Sequence, residues 1–441
     1  MSALHPMQRQ LRAIDPVRRT GRVRKIMSSA IEADGPNVPL GTLCNVERRG
    51  GEAWFGAEVV HVDRESVILS PFEDSSATFS GALVRASVRA DLVPVGPALL
   101  GRALDALGRA CDGAAPIDAR DFAPLRDRMP SPLERVSPNQ VLETGIRAID
   151  GLLTLGIGQR VGIFAASGVG KTSLVAQLSQ QVDADIVVIA LIGERGREVE
   201  AMWNGTFSDA ARSKAVLVAA TSDQSAAMRV RAAHLALAQA HYWRAQGKKV
   251  LLLLDSVTRL AMALREIGLA AGEPPTVRAY TPNVFATIPK LVELCGAFKK
   301  GGAITAIMTV LSETDDVDDP VCEMMKSLLD GHIVLSRTLA EQGHFPAIDV
   351  CKSVSRQAWD LSGEVHRADA LQTVEWLSLQ QSARTLLDTG LYVKGANPKI
   401  DRAVERHPEI LRFLKQGRED RSSFTDTVSQ LAALNEGRGH A

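Results

Sequence analysis

The sequence has few aromatic residues and no excess of either charge. Phenylalanine, tryptophan and tyrosine make up 4% of the 441 residues, and 51 lysines and arginines balance 51 aspartates and glutamates. Proteins that bind nucleic acid through a global positive field carry a basic excess, and base-stacking platforms need aromatic side chains. The composition therefore argues against a nucleic-acid-binding protein and leaves room only for a local basic patch.

Paired cysteines and long apolar runs are also missing. None of the five cysteines lies in a Cys-x-x-Cys pair, so neither a zinc knuckle nor a disulfide framework is predicted. No apolar run approaches the roughly 18–20 residues that a membrane helix needs. The N-terminus lacks the apolar stretch of a secretory signal. These absences predict a soluble, cytoplasmic protein.

The residue pattern changes along the chain and predicts an α/β fold with three domains. Short strands and turns fill residues 20–95, which is typical of a small β-barrel. Over residues 96–357, apolar strand-like runs alternate with helical stretches, which predicts a mostly parallel sheet covered by helices. Strands stop after about residue 357. Helical patterns at 368–389 and 407–416 predict a C-terminal helical domain over 358–441.

A short separate segment, residues 1–19, precedes the predicted barrel. Met7, Leu11 and Ile14 fall on one face of a potential helix. We predict an amphipathic helix that docks a partner. The alternative is a frayed terminus, which is common at chain ends.

A glycine-rich turn between an apolar strand and a helix is the strongest local pattern, AASGVGKT at residues 165–172. Gly168 and Gly170 let backbone N–H groups face phosphates, and the helix N-terminus adds its positive dipole end. Lys171 would reach the β- and γ-phosphates, and the Thr172 hydroxyl would bind magnesium. Ala165 replaces the first glycine of the strict pattern. We predict that MgATP is held by Ser167, Gly168, Val169, Gly170, Lys171, Thr172 and Ser173.

Two carboxylates follow buried strands. Asp255 ends the apolar run at 250–254, where a carboxylate holds magnesium, often through water. Glu194 follows the run Ile186–Ile192 and is a candidate to polarise the attacking water. The alternatives are that Asp255 only caps the next helix, and that Glu194 belongs to a solvated charge cluster.

Several separated motifs resemble those of the F-type/V-type rotary ATPase superfamily and, within it, of the export ATPases of the flagellum and of type III secretion systems. The superfamily motif is PAID at 346–349 followed by SVSR at 353–356. The export ATPase motifs are GERGRE at 193–198, DSVTR at 255–259, REIGL at 265–269, GEPP at 272–275 and LDGHIVLSR at 329–337. LGRALDALGR at 100–109 and YVKG at 392–395 also match, so the resemblance extends from about residue 20 to 416.

The resemblance implies a homohexameric ring whose subunits combine an N-terminal β-barrel, a RecA-like core and a C-terminal helical domain. It implies that Glu194 is the catalytic glutamate and that Arg356 is an arginine finger for the neighbouring subunit's site; the alternative for Arg356 is a surface ion pair. Phe345 stands where the catalytic subunit of ATP synthase carries an adenine-stacking tyrosine. Simple core packing is the alternative for Phe345.

The resemblance also implies partners and a location. These are a stator-like negative regulator at the N-terminus, a central-stalk-like protein, export chaperone–substrate complexes and an export gate at the inner face of the membrane. It slightly favours the flagellar branch over the injectisome branch. Differences from the family pattern weaken that choice: Ala166 replaces a common glycine, Thr172 replaces a more usual serine, and AYTP at 279–282 replaces Gly-Tyr-Pro-Pro or a similar sequence.

Three other functions are compatible with parts of the sequence. The transcription terminator Rho has a similar core, but the missing basic excess argues against it. A rotary ATP-synthase-type catalytic subunit is a nearer relative, and it carries an acidic torque loop that this chain lacks. A non-catalytic, nucleotide-gated assembly scaffold would have no need of Lys171, Glu194, Asp255 and Arg356 together.

Overall fold

The computed structural model of the protein describes residues 19–50, 53–87, 91–126, 128–312 and 319–436. The docking helix predicted over residues 1–19 therefore lies outside the described residues, apart from Arg19. Within the described ranges, no helix combines the length and the apolar character that crossing a membrane requires.

Six antiparallel strands form a closed barrel near the N-terminus, as the short strands of the sequence predicted. They are β1 (Thr20–Ile26), β2 (Ile31–Ala33), β3 (Leu43–Glu47), β4 (Trp54–Val62), β5 (Val67–Pro71) and β6 (Leu83–Ala86), and they close in the order β1-β2-β5-β4-β3-β6. Buried Val46, Phe55, Leu69 and Val84 pack together inside it. Closure removes exposed strand edges, which would otherwise be free to pair with other chains.

A ten-stranded, mostly parallel sheet follows the barrel. The strands of this part are β7 (Leu92–Val95), β8 (Arg102–Leu104), β9 (Asp121–Pro124), β10 (Arg135–Val136), β11 (Val141–Leu142), β12 (Leu155–Gly156), β13 (Arg160–Ala165), β14 (Ile186–Ile192), β15 (Ala215–Ala220), β16 (Lys249–Asp255), β17 (Gly296–Phe298), β18 (Ala303–Leu311), β19 (Gly331–Val334) and β20 (Val354–Ser355). The main order is β20-β19-β13-β18-β16-β14-β15-β8, and β17 and β10 extend it beside β18. The pairs β7/β9 and β11/β12 lie outside this sheet.

Helices cover both faces of the sheet. They are α1 (Arg147–Leu152), α2 (Lys171–Gln181), α3 (Gly196–Glu200), α4 (Asp209–Arg212), α5 (Ala226–Ala245), α6 (Val257–Ala270), α7 (Pro282–Glu293), α8 (Pro320–Leu328) and α9 (Arg337–Glu341), with a π-helical turn over Ala201–Thr206. Every residue of β14 is buried, and alternate residues enter two separate cores, one on each face. This two-sided burial explains why the strand is a continuous apolar run.

Four helices form the C-terminal part: α10 (Ala358–Leu361), α11 (Glu364–Asp388), α12 (Pro398–Leu414) and α13 (Phe424–Asn435). Helix α12 begins well before the predicted start at 407. Pro398 occupies its first turn, and the Asn397 side chain accepts a hydrogen bond from the Lys399 N–H. The helices share a core with α1 and α2, so they lie on the same face of the sheet as the phosphate-binding helix.

Candidate functional site

The loop between β13 and α2 has the backbone of a phosphate-binding turn. Gly168 and Gly170 have φ angles of 81° and 94°, in the left-handed region that favours glycine. Gly170 caps α2, so the first N–H groups of that eleven-residue helix have no partner within the helix. Val169 is buried between the two glycines and anchors the loop. The loop therefore presents backbone donors to an anion.

Lys171, Glu194 and Asp255 meet at the carboxyl edge of the sheet. The Lys171 Nζ donates a hydrogen bond of 3.3 Å to Glu194 Oε1 and makes a closer one to Asp255 Oδ1. The three side chains are only 11%, 12% and 3% exposed. They come together because β13, β14 and β16 are parallel strands of one sheet and end at the same edge.

The backbone on either side of Glu194 is held firmly. The Gly193 N–H donates to the Ala220 carbonyl at 2.6 Å, and the Ser222 N–H donates to the Glu194 carbonyl at 3.0 Å. Burial raises the pKa of the Glu194 carboxyl; nearby Lys171 lowers it and Asp255 raises it, and the net direction is upward. A carboxylate with a raised pKa is a stronger base than an ordinary glutamate, which suits proton acceptance from water.

Asp255 and Thr172 present oxygen atoms that fit a magnesium ion. The Thr172 side chain is exposed in the first turn of α2, next to Lys171. The Thr309 hydroxyl on β18 donates to Asp255 Oδ1 at 2.6 Å, and the Lys171 bond uses the same oxygen. A hard cation prefers carboxylate and hydroxyl oxygens such as these.

Phe345 lies beside the phosphate loop. A Cβ placed on Gly170 would be 3.4 Å from Cε1 of Phe345, so the ring is in contact with the loop. Phe345 is 47% exposed, although its side chain is large and apolar. An exposed aromatic face next to a phosphate cradle is placed to stack on a nucleobase.

Arg356 lies away from these residues, at the opposite edge of the sheet. It follows β20, which runs antiparallel to β19, and Ser355 pairs with Gly331 at the start of β19. The Arg356 N–H donates to the Asp330 carbonyl at 3.0 Å, and its Nη2 donates to the Lys326 carbonyl at 3.3 Å. Its side chain is exposed. The structure therefore does not bring Arg356 to the Lys171 cluster of its own chain.

Family models match two adjoining regions of the chain. The nucleotide-binding domain of the ATP synthase alpha/beta family matches residues 145–355, and the T3SS EscN ATPase C-terminal domain matches residues 363–433. A flagellum-specific ATP synthase of Bacillus subtilis is 40% identical over 421 residues, which are 95% of this chain and 96% of the relative. The chain belongs to the family of flagellar and type III secretion ATPases. This export ATPase is thus an ATP-hydrolysing enzyme.

Solved structures of the family have the same fold. The assembled ATPase EscN from the type III secretion system of enteropathogenic E. coli matches with a TM-score of 0.88 and 40% identity, covering 94% of this chain and 99% of EscN. EscN in complex with its central stalk EscO matches with a TM-score of 0.85 and 39% identity over the same shares. The predicted barrel, parallel sheet and C-terminal helices are confirmed.

Sequence reasoning missed two residues at the site. Thr309 lies in the middle of an apolar strand, where a threonine gives no sign that it will contact Asp255. Arg259 lies in the first turn of α6, and a Cβ on Gly193 would be 3.0 Å from the Arg259 Cβ. Its Nε is buried without a hydrogen-bond partner among the described residues. The DSVTR motif contains Arg259 and was the only available signal.

Proposed function

We propose that this export ATPase hydrolyses MgATP at the interfaces of a homohexameric ring and thereby energises type III protein export, flagellar or injectisome-like. The observation that carries the proposal is that the predicted catalytic and magnesium-binding residues lie at two opposite edges of the sheet. Lys171, Glu194 and Asp255 lie at the carboxyl edge, and exposed Arg356 lies at the amino edge. A site that needs all four residues requires two subunits.

In this proposal the loop from Ser167 to Ser173 binds the triphosphate through its backbone, and Lys171 contacts the β- and γ-phosphate oxygens. Magnesium held by Thr172 and Asp255 would neutralise charge on these oxygens. Glu194 orients a water and accepts its proton as the water oxygen attacks the γ-phosphorus. The bond from phosphorus to the β–γ bridging oxygen breaks, and the electron pair leaves with ADP.

Arg356 of the adjacent subunit stabilises the charge that spreads over the transferring phosphoryl group. A finger of this kind accelerates turnover by roughly 10³–10⁵. Phe345 stacks on the adenine. The exposure of Arg356 supports its role in a neighbouring site, and the raised pKa of Glu194 supports its role as the proton acceptor.

The proposed domain roles follow the predicted boundaries. Residues 20–95 form the ring collar, residues 96–357 the catalytic core, and residues 358–441 the part that moves against a central-stalk-like protein. The stalk is inferred from the complex of EscN with its central stalk EscO. Residues 1–19 would dock a stator-like negative regulator, and chaperone–substrate complexes would be delivered to an export gate at the inner face of the membrane.

The test is steady-state ATP hydrolysis as a function of protein concentration, with the mass measured by light scattering on the same samples. We expect specific activity to rise as hexamers form. Glu194→Gln should abolish turnover while leaving nucleotide affinity intact. Hexamers that bind ATP but do not hydrolyse it would instead favour the non-catalytic scaffold.

A further inference from the structure

Residues 326–330, which span the end of α8 and the link to β19, carry two hydrogen-bond acceptors for Arg356. The Arg356 N–H donates to the Asp330 carbonyl at 3.0 Å, and the tip of its side chain, Nη2, donates to the Lys326 carbonyl at 3.3 Å. The first contact orients the backbone of Arg356 and the second orients its guanidinium. The direction in which the Arg356 side chain points therefore depends on where this segment lies.

Asp330 fixes the segment to the first residue of β13. The Arg160 Nε and Nη2 donate to the two carboxylate oxygens of Asp330 at 3.0 and 2.9 Å, and the Arg160 N–H donates to Oδ2 at 3.0 Å. The Asp330 N–H donates back to the Arg160 carbonyl at 2.8 Å. A bidentate pair between arginine and a carboxylate fixes a direction as well as a distance. The Asp330 carboxylate therefore sets the position of residues 326–330 relative to β13.

The arginine of this pair is itself held in place. The Arg160 Nη1 donates to Glu293 Oε1 at 2.6 Å, and Glu293 Oε2 pairs with Arg135 Nη2 at 3.0 Å. The Arg160 and Asp330 side chains are only 17% and 22% exposed. Partly buried pairs are screened by salt less than surface pairs are. Arg160 is thus a fixed support for Asp330.

The residue before Arg356 is held at the same end of β13. The buried Gln159 side chain donates to Ser355 Oγ at 3.0 Å and to the Asp330 carbonyl at 3.3 Å. Ser355 Oγ in turn donates to the Thr154 carbonyl at 3.0 Å. These hydrogen bonds hold the part of the sheet that carries Arg356, and they contribute no group to the site at the carboxyl edge.

We propose that Asp330 is a positioning residue for the arginine finger. Held by Arg160, its carboxylate keeps residues 326–330 where Arg356 can meet the transferring phosphoryl group of the adjacent subunit. The inference rests on the proposed function, because it needs Arg356 to act between subunits. It assigns Asp330 to the finger side of each interface, which supplies Arg356, and not to the nucleotide side, which binds MgATP.

The first test compares the steady-state kinetics of Asp330→Ala and wild-type hexamers. We expect kcat to fall about ten- to a hundredfold, because a misplacement of about 1 Å can have an effect of this size. The KM for ATP and the dissociation constant for ADP should change little, because the finger acts mainly in the transition state. An unchanged kcat, or a loss of ADP affinity as large as the loss of kcat, would overturn the proposal.

Asp112→Ala is the matched control for Asp330→Ala. Asp112 makes a bidentate pair of the same kind with Arg102 on β8, through hydrogen bonds of 2.6 and 2.9 Å. Strand β8 lies at the opposite end of the strand order from β20. Loss of this pair should lower stability and leave kcat unchanged. A loss of kcat as large as that in Asp330→Ala would show general damage to the sheet and overturn the proposal.

Mixed rings then separate the two sides of the interface. Asp330→Ala subunits keep an intact nucleotide side, so mixing them with Glu194→Gln subunits, whose finger side is intact, should restore turnover. Mixing them with Arg356→Ala subunits should not, because neither variant supplies a well-placed finger. No rescue by Glu194→Gln, or any rescue by Arg356→Ala, would place the defect outside the finger side and overturn the proposal. Asp330→Asn, which keeps the shape of the side chain, gives the same test if Asp330→Ala does not assemble.

Failure of the proposed function would look different. Rings mixed from Glu194→Gln and Arg356→Ala subunits are the reference. If they regain turnover and rings of Asp330→Ala with Glu194→Gln do not, the role of Asp330 is wrong while the proposed function stands. If the reference rings stay inactive although wild-type hexamers hydrolyse ATP, Arg356 does not act between subunits and both are wrong.

Discussion

Asp330 holds Arg356 at the amino edge of the sheet. Its carbonyl accepts the Arg356 N–H at 3.0 Å, and its carboxylate accepts a hydrogen bond of 2.9 Å from Arg160, the first residue of β13. The phosphate loop begins at the other end of β13. Since a strand rises about 3.3 Å per residue, the two ends are roughly 17 Å apart. Arg356 therefore lies too far from the phosphate-binding loop of its own chain to contact it, and in the proposed function it acts on the site of another copy.

Mixing two inactive variants tests this arrangement. Glu194→Gln and Arg356→Ala rings should each lose most activity, the latter by about 10³-fold or more. Rings assembled from both should regain turnover, because an Arg356→Ala subunit with intact Glu194 can lie next to a Glu194→Gln subunit with intact Arg356. Activity is measured by phosphate release after co-assembly.

The matched control for the mixing experiment pairs Arg356→Ala with the double variant Glu194→Gln/Arg356→Ala. No interface in those rings contains both groups, so turnover should stay absent. Mixed rings of the two single variants that remain equally inactive would contradict action between subunits.

Thr309 should set magnesium affinity through Asp255. Thr309→Val removes the 2.6 Å hydrogen bond that orients the carboxylate, and partners of metal ligands typically contribute about tenfold or more in metal affinity. We expect the magnesium concentration for half-maximal activity to rise by about tenfold, measured by titration at fixed ATP. Thr309→Ser should behave as the wild type.

Thr305 provides a control on the same strand. Its hydroxyl accepts a hydrogen bond from the Gly158 N–H, away from Asp255. Thr305→Val should lower stability without changing the magnesium requirement. A shifted magnesium requirement in this variant would show that the Thr309 effect reflects general damage to β18.

Ala279 has a φ of 58°, in the left-handed region, which costs an L-residue roughly 1–2 kcal/mol. Ala279→Gly removes this cost and adds about 0.5–1 kcal/mol of chain entropy in the unfolded state. We expect a net stabilisation of about 0.5–1 kcal/mol, measured by urea denaturation. Ala368→Gly, inside helix α11, should destabilise by about 1 kcal/mol.

His344 should make stability depend on pH. Burial lowers the pKa of this imidazole to about 4, with smaller contributions from Lys415 and His407. Since the unfolded pKa is near 6.5, stability is unaffected above pH 6.5, falls between pH 6.5 and 4, and has lost roughly 3 kcal/mol from this group below pH 4.

The His344 measurement is the free energy of unfolding across that range, compared with His344→Gln. The variant should have a shallower slope between pH 6.5 and 4 and the same slope above pH 7. Parallel curves would exclude His344 as a source of acid lability.

The succession of strands, turns and polar residues along the chain was enough to predict much of the site. Lys171 and Thr172 follow a strand and a glycine turn, and Glu194 and Asp255 follow buried strands, so parallel pairing brings them to one edge. The barrel was predictable from short strands with frequent turns, and the parallel sheet from continuous apolar runs.

Contacts between distant segments were not predictable. Thr309 reaches Asp255 only because β18 lies next to β16. The loop over residues 416–421, which connects α12 and α13, lies against α2 because the Gln177 and Gln181 amides donate to its carbonyl groups. Neither relationship leaves a periodic or compositional trace, since each depends on hydrogen bonds between segments far apart in sequence.

The attachment of the loop over residues 416–421 to α2 has a thermodynamic consequence. This loop is joined to the phosphate-binding helix through Gln181 and to Phe345 through the Gln416 N–H, so a displacement of the C-terminal helices would also move residues of the nucleotide site. Linkage is reciprocal. If a protein binds these helices and weakens ATP binding by some factor, then bound ATP weakens the affinity for that protein by the same factor. The nucleotide state of the site therefore sets how tightly such a partner is bound.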